Sequence, residues 1–349
     1  MTVPAPPRVR PSRWRKVAFA VVPLLALLAV GELVARLVRA PLHFGSFRQL
    51  RVDLLQRGYP AQLDPDLGYV PAPNYASHDN HWGTQVTIGA DGCRSNGGPP
   101  PAGPLVVAVG DSFTFGDQVD DRDTWPACLE RRLGQPVRNG GVFGYSMAQS
   151  VLRAEALLEE RPAQWLVVSV YTDDIVRNEF SRRYASVPWF DLQDGALVLQ
   201  NVPVVDAHDA DELRRRAWKD ALGCSALVDA FCANAFRQWW VEDQKQVRAH
   251  PPGRGREIAV LLVDRIQSFC LQRGARLLLV LQGQETTDDA EAVFAHARAA
   301  GVRTCDLIAA YREELARDPT ATARLFAGHM TAAGNDWAAA HIAAAMRDG

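Results

Sequence analysis

The sequence has no large excess of charge of either sign. Lysine and arginine together number 38 and aspartate and glutamate 40, a formal net charge of -2. Proteins that grip nucleic acid through its phosphates need a basic surface, and this composition does not supply one. Cysteine is also scarce: six residues in 349 are too few for a disulfide scaffold, and they lack the pair spacing of metal ligands. We therefore expect no nucleic-acid partner, no metal and no cofactor, and leave open whether some cysteines pair if the protein is exported.

The composition is otherwise that of a globular protein. With 48% hydrophobic and 22% charged residues, the chain can bury a full core, and one large domain plus an attachment is the natural expectation. The composition shifts along the chain predict a basic cytoplasmic tail (1–16), a membrane segment (17–38), an irregular connection (39–104) and a main domain (105–349) interrupted by an insertion (182–255).

The N-terminal region is typical of an export signal. Five basic residues precede an apolar run over residues 17–31 that continues, past Glu32, to residue 38; they are Arg8, Arg10, Arg13, Arg15 and Lys16. We interpret the run as a signal anchor that crosses the inner membrane once and leaves the main domain in the periplasm. Small residues at Ala29-Val30-Gly31 would also suit cleavage, so a removed signal peptide is the alternative.

The chain is organised around one stretch, residues 106–117. Val106–Val109 is apolar and free of charge, as expected of a strand buried on both faces of a parallel sheet. Gly110 allows a sharp turn, and Asp111 and Ser112 then follow at the carboxyl end of the strand, where open α/β sheets bind their ligands. Ser112 is therefore the candidate nucleophile. The alternative is that Asp111 and Ser112 only cap the next helix.

The regions on either side alternate between strand and helix patterns. Strands are predicted at 106–109, 136–139, 165–170, 276–281 and 302–307, and helices at 125–133, 147–160, 258–272 and 289–300. Strands joined by helices, five times over, predict a parallel five-stranded sheet with helices on both faces.

The segment Gly110-Asp111-Ser112 resembles the first block of the SGNH, or GDSL-type, hydrolase family. Later segments resemble the family's other blocks in the same order: Gly141 in a glycine-rich strand end, Asp173 and Asp174 after a strand, and His329 before the last helix. Residues 64–74 and 91–94 are similar to the lead-in of membrane-tethered bacterial members. The resemblance implies an α/β, flavodoxin-like three-layer fold.

The resemblance also implies a mechanism. His329 would take the proton of Ser112, which would attack an ester carbonyl, and backbone N–H groups of Ser112 and Gly141 would stabilise the oxyanion. Asp173 occupies the position of the family's third oxyanion donor. Asp111 and Asp174 are expected to support the site.

Two positions depart from the family pattern. Asp173 stands where the family has asparagine, so a carboxyl group replaces a hydrogen-bond donor. Asp173 must be protonated, be turned away, or belong to a site that no longer performs fast acyl transfer. Phe326 stands where the family has an aspartate three residues before the histidine. We therefore expect no nearby carboxylate to orient His329, and a Ser/His dyad rather than a triad.

These observations favour an exported serine esterase that hydrolyses O-acyl, chiefly O-acetyl, esters on envelope or exopolysaccharide glycans. An O-acyltransferase that uses the same acyl-serine intermediate is the alternative, and a decayed glycan-binding or assembly protein is the third. The insertion is the expected substrate lid, and its tryptophans either stack on sugar rings or pack in a core; they are Trp218, Trp239 and Trp240.

Histidine also occurs in two polar segments where it could bind a metal ion. His78 and His81 flank Asp79, and His208 lies among acidic residues. In both segments solvated histidines are the favoured interpretation.

Overall fold

The computed structural model describes residues 13–39, 43–52, 59–204, 210–242 and 246–347. Within these ranges the chain forms two compact units: a smaller one from residues up to Val52 together with 210–242, and a larger one from the rest. The acidic segment around His208 lies outside the described residues.

The strands, in chain order, are β1 (Ala61–Asp64), β2 (Gly68–Pro71), β3 (Ala76–Ser77), β4 (Val86–Thr87), β5 (Val106–Val109), β6 (Val137–Asn139), β7 (Trp165–Tyr171), β8 (Phe180–Arg183), β9 (Ala185–Ser186), β10 (Trp189–Gln193), β11 (Ala196–Gln200), β12 (Gln246–Arg248), β13 (Arg276–Gln282), β14 (Arg303–Asp306), β15 (Phe326–Ala327) and β16 (His329–Met330). The helices are α1 (Arg13–Arg39), α2 (Gln49–Val52), α3 (Ser112–Phe115), α4 (Trp125–Leu133), α5 (Met147–Glu160), α6 (Thr172–Arg177), α7 (Ala210–Gly223), α8 (Ala226–Ala235), α9 (Arg254–Arg273), α10 (Asp288–Ala299), α11 (Leu307–Arg317), α12 (Ala321–Leu325) and α13 (Ala332–Arg347). A short 3₁₀ turn covers Asp121–Asp123, and a π-helical turn covers Gln238–Glu242.

The larger unit is built on a parallel five-stranded sheet in the order β14-β13-β7-β5-β6. The predicted sheet with helices on both faces is therefore confirmed. The predicted strands and helices of the core match the observed ones to within a few residues at each end. Their boundaries were readable because the strands are short apolar runs bounded by glycine or polar residues.

Each face of the sheet carries its own hydrophobic core. Val107, Val109 and Val168 pack under α5, α9 and α10, whereas Val106 and Val167 pack under α4 and the helices after β14. Alternate residues of one strand therefore enter opposite cores, as the pleat requires. This explains why no charge interrupts β5.

The connection before the sheet has more structure than predicted. It folds into two small antiparallel pairs, β1 with β2 and β3 with β4. Tyr69, Val70 and Ile88 are buried against Phe115 and Phe143, which follow β5 and β6. Each of these strands has only two to four residues, so their alternation is too short to specify their pairing from sequence.

The insertion divides between the two units. Strands β8, β9 and β12 form a small sheet in the larger unit, and β10 pairs with β11. Phe190 of β10 is fully buried in the core under α5 and α9. This part of the insertion therefore packs in the core, while α7 and α8 belong to the smaller unit.

The smaller unit contains α1, α2, α7 and α8. The stretch Val21–Arg39 of α1 has a mean hydropathy of 2.2, and none of its side chains is buried. At 19 residues it is long and apolar enough to cross a bilayer.

The six cysteines all lie among the described residues, and none forms a disulfide. Cys93, Cys128, Cys270 and Cys305 are buried, and Cys224 and Cys232 lie in the smaller unit.

Arg94 ties the connection to the loop that follows the candidate nucleophile. Its buried guanidinium pairs with Asp121, with Nε 3.0 Å from Oδ1. It also donates to four backbone carbonyls, those of Gln85, Phe115, Gly116 and Val119, at 2.6–3.1 Å. One side chain therefore satisfies the carbonyl groups of α3 and of the turn after it.

We predict that Arg94→Met destabilises the larger unit by about 3–5 kcal/mol, because it leaves a buried carboxylate and several carbonyls unpaired. Thermal or urea unfolding measures the change. Arg132→Met is the control: Arg132 forms a partly exposed ion pair with Asp336 at 2.7 Å, and its loss should cost less than about 1 kcal/mol. Equal costs in the two variants would contradict the assigned role of Arg94.

Candidate active site

The local structure around Ser112 follows from Gly110 and Asp111. Gly110 has φ of 154°, and a β-carbon there would lie 2.4 Å from Thr114 Oγ1 and 2.6 Å from the Ser169 carbonyl oxygen. Only glycine fits between β5 and the next turn. Asp111 caps α3 by accepting the Phe113 N–H at 3.0 Å. The capping role thus belongs to Asp111. The Ser112 hydroxyl makes only a long contact with Asp111 Oδ2, at 3.4 Å, and is within reach of a nearer partner.

That partner is His329, which the chain brings from 217 residues away. Ser112 Oγ and His329 Nε2 are 2.8 Å apart, a hydrogen-bond distance. His329 begins the second strand of the hairpin β15–β16, which turns at Gly328 with φ of 87°. Its ring also contacts the ring of Phe113, with centroids 5.0 Å apart. The structure therefore brings the predicted nucleophile and the predicted base into direct contact.

The site is partly shielded from water. Ser112 is 8% exposed, and the side chain of His329 is 28% exposed. Burial lowers the pKa of His329, and the nearby Arg177 acts in the same direction while Asp111 opposes it. A neutral imidazole, the form that can accept the serine proton, is therefore favoured at neutral pH.

Asp117 lies beside the imidazole, a neighbour that the sequence did not indicate. Its Oδ2 is 3.9 Å from His329 Nε2, and Gln118 Oε1 accepts the His329 backbone N–H at 3.4 Å. Asp117 faces Nε2, the nitrogen that also faces Ser112. In the described part of the chain no carboxylate bonds to Nδ1, so Asp117 does not orient the ring as a triad aspartate does.

The carboxyl group of Asp117 is buried, and its Oδ1 has no hydrogen-bond partner among the described residues. Burial, followed by the charge of Asp111, raises the pKa of Asp117 well above its usual range, and Arg94 only partly opposes this. Asp117 Oδ2, 3.9 Å from Nε2, is beyond hydrogen-bond distance, so Ser112 at 2.8 Å is the partner of that nitrogen.

A second group of charges lies behind the serine. Arg177 Nη1 is 3.0 Å from Asp111 Oδ2 and 2.9 Å from the Tyr145 carbonyl oxygen, and it also donates to Asp174 Oδ1. Asp174 additionally accepts the Tyr171 N–H, which caps α6. Burial and the charge of Asp111 raise the pKa of Asp174 well above its usual range. One guanidinium therefore holds two carboxyl groups, Asp111 and Asp174, in the positions predicted to support the site.

Asp173 and Asp174 differ although they are neighbours. Asp174 is buried, but Asp173 is exposed in the first turn of α6. Among the described residues, none donates a hydrogen bond to the Asp173 side chain. Of the outcomes considered from sequence, the exposed position fits a carboxylate turned towards solvent.

The predicted oxyanion donor at Gly141 is engaged elsewhere in this structure. Its N–H donates to Asn139 Oδ1 at 3.1 Å. The close approach of Gly141 to α3 does require glycine, because a β-carbon would lie 2.3 Å from the Phe115 nitrogen. For Gly141 to stabilise an oxyanion, the Asn139 side chain would have to release this N–H. Asp111, Ser112, Gly141 and His329 are thus gathered at one edge of the sheet, but Asp173 is not buried with them.

No group of three or more histidine, cysteine, aspartate or glutamate side chains among the described residues is arranged to hold a metal ion. His81 stacks on Tyr59, with ring centroids 4.5 Å apart. His78 lies near it in the turn after β3.

Sequence reasoning missed Asp117, Gln118 and Arg177. Asp117 lies only five residues after Ser112, but nothing in its spacing showed that the turn after α3 would return it to the imidazole. Arg177 lies one turn after Asp174 on α6, so an acid–base pair at that spacing was a signal that could have found it.

No protein-family model and no curated protein matches the sequence. Among solved structures, the chain is similar to TesA at 14% identity, covering 70% of this chain and 98% of that one with a TM-score of 0.39. LAE5, an α/β hydrolase enzyme from the metagenome of Lake Arreo in Spain, is 13% identical, with 70% and 95% covered and a TM-score of 0.41. Axe2, an acetylxylan esterase from Geobacillus stearothermophilus, is 13% identical, with 72% and 97% covered and a TM-score of 0.38. Likenesses this distant carry no conclusion about what this chain does.

We predict that Asp117→Asn stabilises the protein at pH 7 and has little effect at pH 4. In the unfolded chain the carboxyl group ionises near its ordinary pKa of about 3.9, whereas burial keeps it protonated to higher pH in the folded chain. Stability from this group is therefore complete below the unfolded pKa and falls as pH rises towards the folded one. The uncharged amide removes that loss.

Thermal unfolding of wild type and variant at the two pH values measures this difference. Asp66→Asn is the control, because Asp66 is exposed and its substitution should leave both midpoints nearly unchanged. A lower midpoint for Asp117→Asn at pH 7 than for wild type would show instead that an ionised Asp117 stabilises the fold.

Proposed function

We propose that the protein is a serine esterase that hydrolyses O-acyl esters through Ser112 and His329. The observation that carries the proposal is the 2.8 Å contact between Ser112 Oγ and His329 Nε2 at the carboxyl end of β5. A serine held against an imidazole of lowered pKa is the arrangement that activates a hydroxyl for attack on a carbonyl carbon.

The reaction proceeds in two steps. His329 Nε2 takes the hydroxyl proton as Ser112 Oγ bonds to the ester carbonyl carbon, and the imidazolium then gives the proton to the departing alkoxide oxygen. In the second step His329 takes a proton from water, the hydroxide oxygen attacks the acyl carbon, and the Ser112–acyl bond breaks as the proton returns to Ser112. The Ser112 N–H is available for the oxyanion, whereas Gly141 must first exchange its bond to Asn139.

The carboxyl groups around the serine lead us to expect a modest rate of hydrolysis. Asp111 and Asp117 lie close to the reacting atoms, and each negative charge there opposes the charge that develops on the oxyanion. Protonation of Asp117 removes one of them. Without a carboxylate on Nδ1, the imidazole is held by the Phe113 ring and the β15–β16 hairpin rather than by a third catalytic group.

The location belongs to the same proposal. We infer that α1 anchors the chain in the inner membrane, with the basic residues that precede its apolar stretch in the cytoplasm and the larger unit in the periplasm. An esterase held there meets the acylated glycans of the cell envelope, which are the substrates we propose. O-acetyl esters of exopolysaccharide belong to this class.

We predict that a fluorophosphonate probe labels the wild type and fails to label Ser112→Ala. His329→Ala should lower the labelling rate by about 10²–10⁴, the usual contribution of a general base. Ser150→Ala is the matched control: Ser150 is also a buried serine, but its hydroxyl donates to the Ser146 carbonyl within α5. It should be labelled like wild type, and thermal unfolding of all four proteins verifies that they are folded.

Labelling that is equal in the wild type, Ser112→Ala and His329→Ala would overturn the proposed nucleophile. Assays of the unlabelled wild type with acetylated sugar, with and without a second sugar as acceptor, separate hydrolysis from transfer. Release of acetate with no acceptor present supports the esterase. Consumption of the ester only when a sugar hydroxyl is present would replace it with an acyltransferase.

A further inference from the structure

The smaller unit carries a patch of exposed aromatic side chains that the proposed chemistry does not use. Its members are Trp218, Phe231, Phe236 and Trp239, each 47–63% exposed, and we call them the aromatic patch. The rings contact one another: Trp218 with Trp239 at 5.8 Å, Phe231 with Phe236 at 6.0 Å, and Phe236 with Trp239 at 6.4 Å between centroids. Contiguous exposed rings of this kind mark a surface that is covered in the working protein.

Helix α8, which carries Phe231, is bound to α1 through the carboxylate of Glu32, which lies within the apolar stretch of α1. Glu32 accepts hydrogen bonds from the first groups of α8: the Ser225 hydroxyl at 2.7 Å and the N–H groups of Ala226 and Leu227 at 3.0 Å. A carboxylate at a helix N-terminus is stabilised by the unpaired N–H groups there. Glu32 therefore places the start of α8 seven residues, or about 10 Å, before the end of α1.

The two faces of α8 meet different parts of α1. Leu227 lies over Gly31, within the apolar stretch: a β-carbon at Gly31 would be 3.6 Å from Leu227 Cδ2. Phe231 lies one turn further along the same face of α8. Asp229 lies on the opposite face, where it pairs with Arg39 at 2.6 Å and Arg51 at 3.0 Å. The apolar face of α8 is thus at the level of the apolar helix, and its acidic face is at the level of the basic residues that end it.

Asp229 also fixes the second half of the aromatic patch. Its Oδ1 accepts the indole N–H of the buried Trp240 at 2.7 Å, which leaves the neighbouring Trp239 pointing out of the unit. Lys219 Nζ lies 4.4 Å from the centre of the Trp239 ring and donates to the Trp239 carbonyl oxygen. The orientation of the patch is therefore set by ionic and hydrogen-bonding contacts and does not depend on apolar packing alone.

We propose that the aromatic patch inserts into the interfacial layer of the bilayer that α1 crosses, so that α8 lies in the membrane surface beside α1. The inference rests on the proposed membrane anchor. Tryptophan and phenylalanine suit this layer, where an amphipathic helix buries its apolar face about 5–10 Å deep. The exposed apolar surface of α1 continues into the patch, and Arg39 and Arg51 lie on the side where lipid phosphates would be.

Photo-crosslinking of the full chain in phosphatidylcholine–phosphatidylglycerol vesicles tests this placement. The photoreactive residue p-benzoylphenylalanine replaces Phe231, Leu24 of α1 or Leu271 of α9 in three separate proteins. Leu24 reports on the anchor, and Leu271, 73% exposed in the larger unit, is the exposed apolar control. We expect lipid adducts by mass spectrometry at Leu24 and Phe231, and none at Leu271.

Lipid adducts at Leu24 without any at Phe231 would overturn the inference and leave the anchor standing. Failure at Leu24 would overturn the anchor itself. An adduct between Phe231 and a second copy of the chain would show that the patch is a protein interface and would also overturn the inference.

Fluorescence offers a second measurement that does not depend on the photoreactive residue. In vesicles whose acyl chains carry bromine, Trp239→Phe should reduce the fraction of tryptophan emission that is quenched. Trp337→Phe, a half-buried residue of α13 in the larger unit, should not reduce it. Equal quenching in wild type and Trp239→Phe would contradict insertion of the patch.

Discussion

The hydrogen bond between Ser112 and His329 is the interaction on which the proposed chemistry of this structure depends. It joins the first turn after β5 to a two-residue strand 217 positions later, so it exists only when the whole sheet is assembled. Several features of the larger unit hold its two ends. Gly110 and Asp111 fix the turn at the serine, and the Phe113 ring supports the imidazole. Arg94, in the segment before the sheet, donates hydrogen bonds to the Gly116 and Val119 carbonyl oxygens and so holds the turn that follows α3.

The surrounding electrostatics limit what this pair can do. Three carboxyl groups, those of Asp111, Asp117 and Asp174, are buried around the serine, and Arg177 pairs with two of them. Two like unit charges about 4 Å apart repel by roughly 4 kcal/mol at an effective dielectric near 20, so an additional ionised group near the oxyanion would be costly. Burial reduces this repulsion, because it raises the pKa of Asp117 and of Asp174 and so favours their uncharged forms. The site is thus built for a neutral imidazole and for carboxyl groups that are not all ionised.

Much of the fold could be predicted because its signals are local. The strand Val106–Val109, the turn at Gly110 and the helix Met147–Glu160 are each specified by a short run of residues. The order of the blocks was enough to pair Ser112 with His329. Asp117 could not be placed beside the imidazole in the same way, because its position depends on how the turn after α3 packs against a hairpin far along the chain.

In the smaller unit too, contacts between residues far apart in the sequence could not be predicted. Residues 182–255 were expected to form a substrate lid, yet Phe190 is buried in the core and α8 is bound to α1 through Glu32. In the sequence, Glu32 is only an interruption of an apolar run. In the structure its carboxylate accepts hydrogen bonds from the N-terminus of α8, about 190 residues later. No periodicity in either segment indicates that the two meet.

Trapping of the acyl-enzyme tests the central claim most directly. The protein is mixed with p-nitrophenyl acetate, quenched with acid during the first turnover and digested, and the peptides are mapped by mass spectrometry. The arrangement of Ser112 and His329 predicts one acetyl group on Ser112 in the wild type, none on the corresponding peptide of Ser112→Ala, and slower acetylation in His329→Ala. Consumption of the ester with no acetyl group on Ser112, or with the acetyl group on another residue, would contradict it.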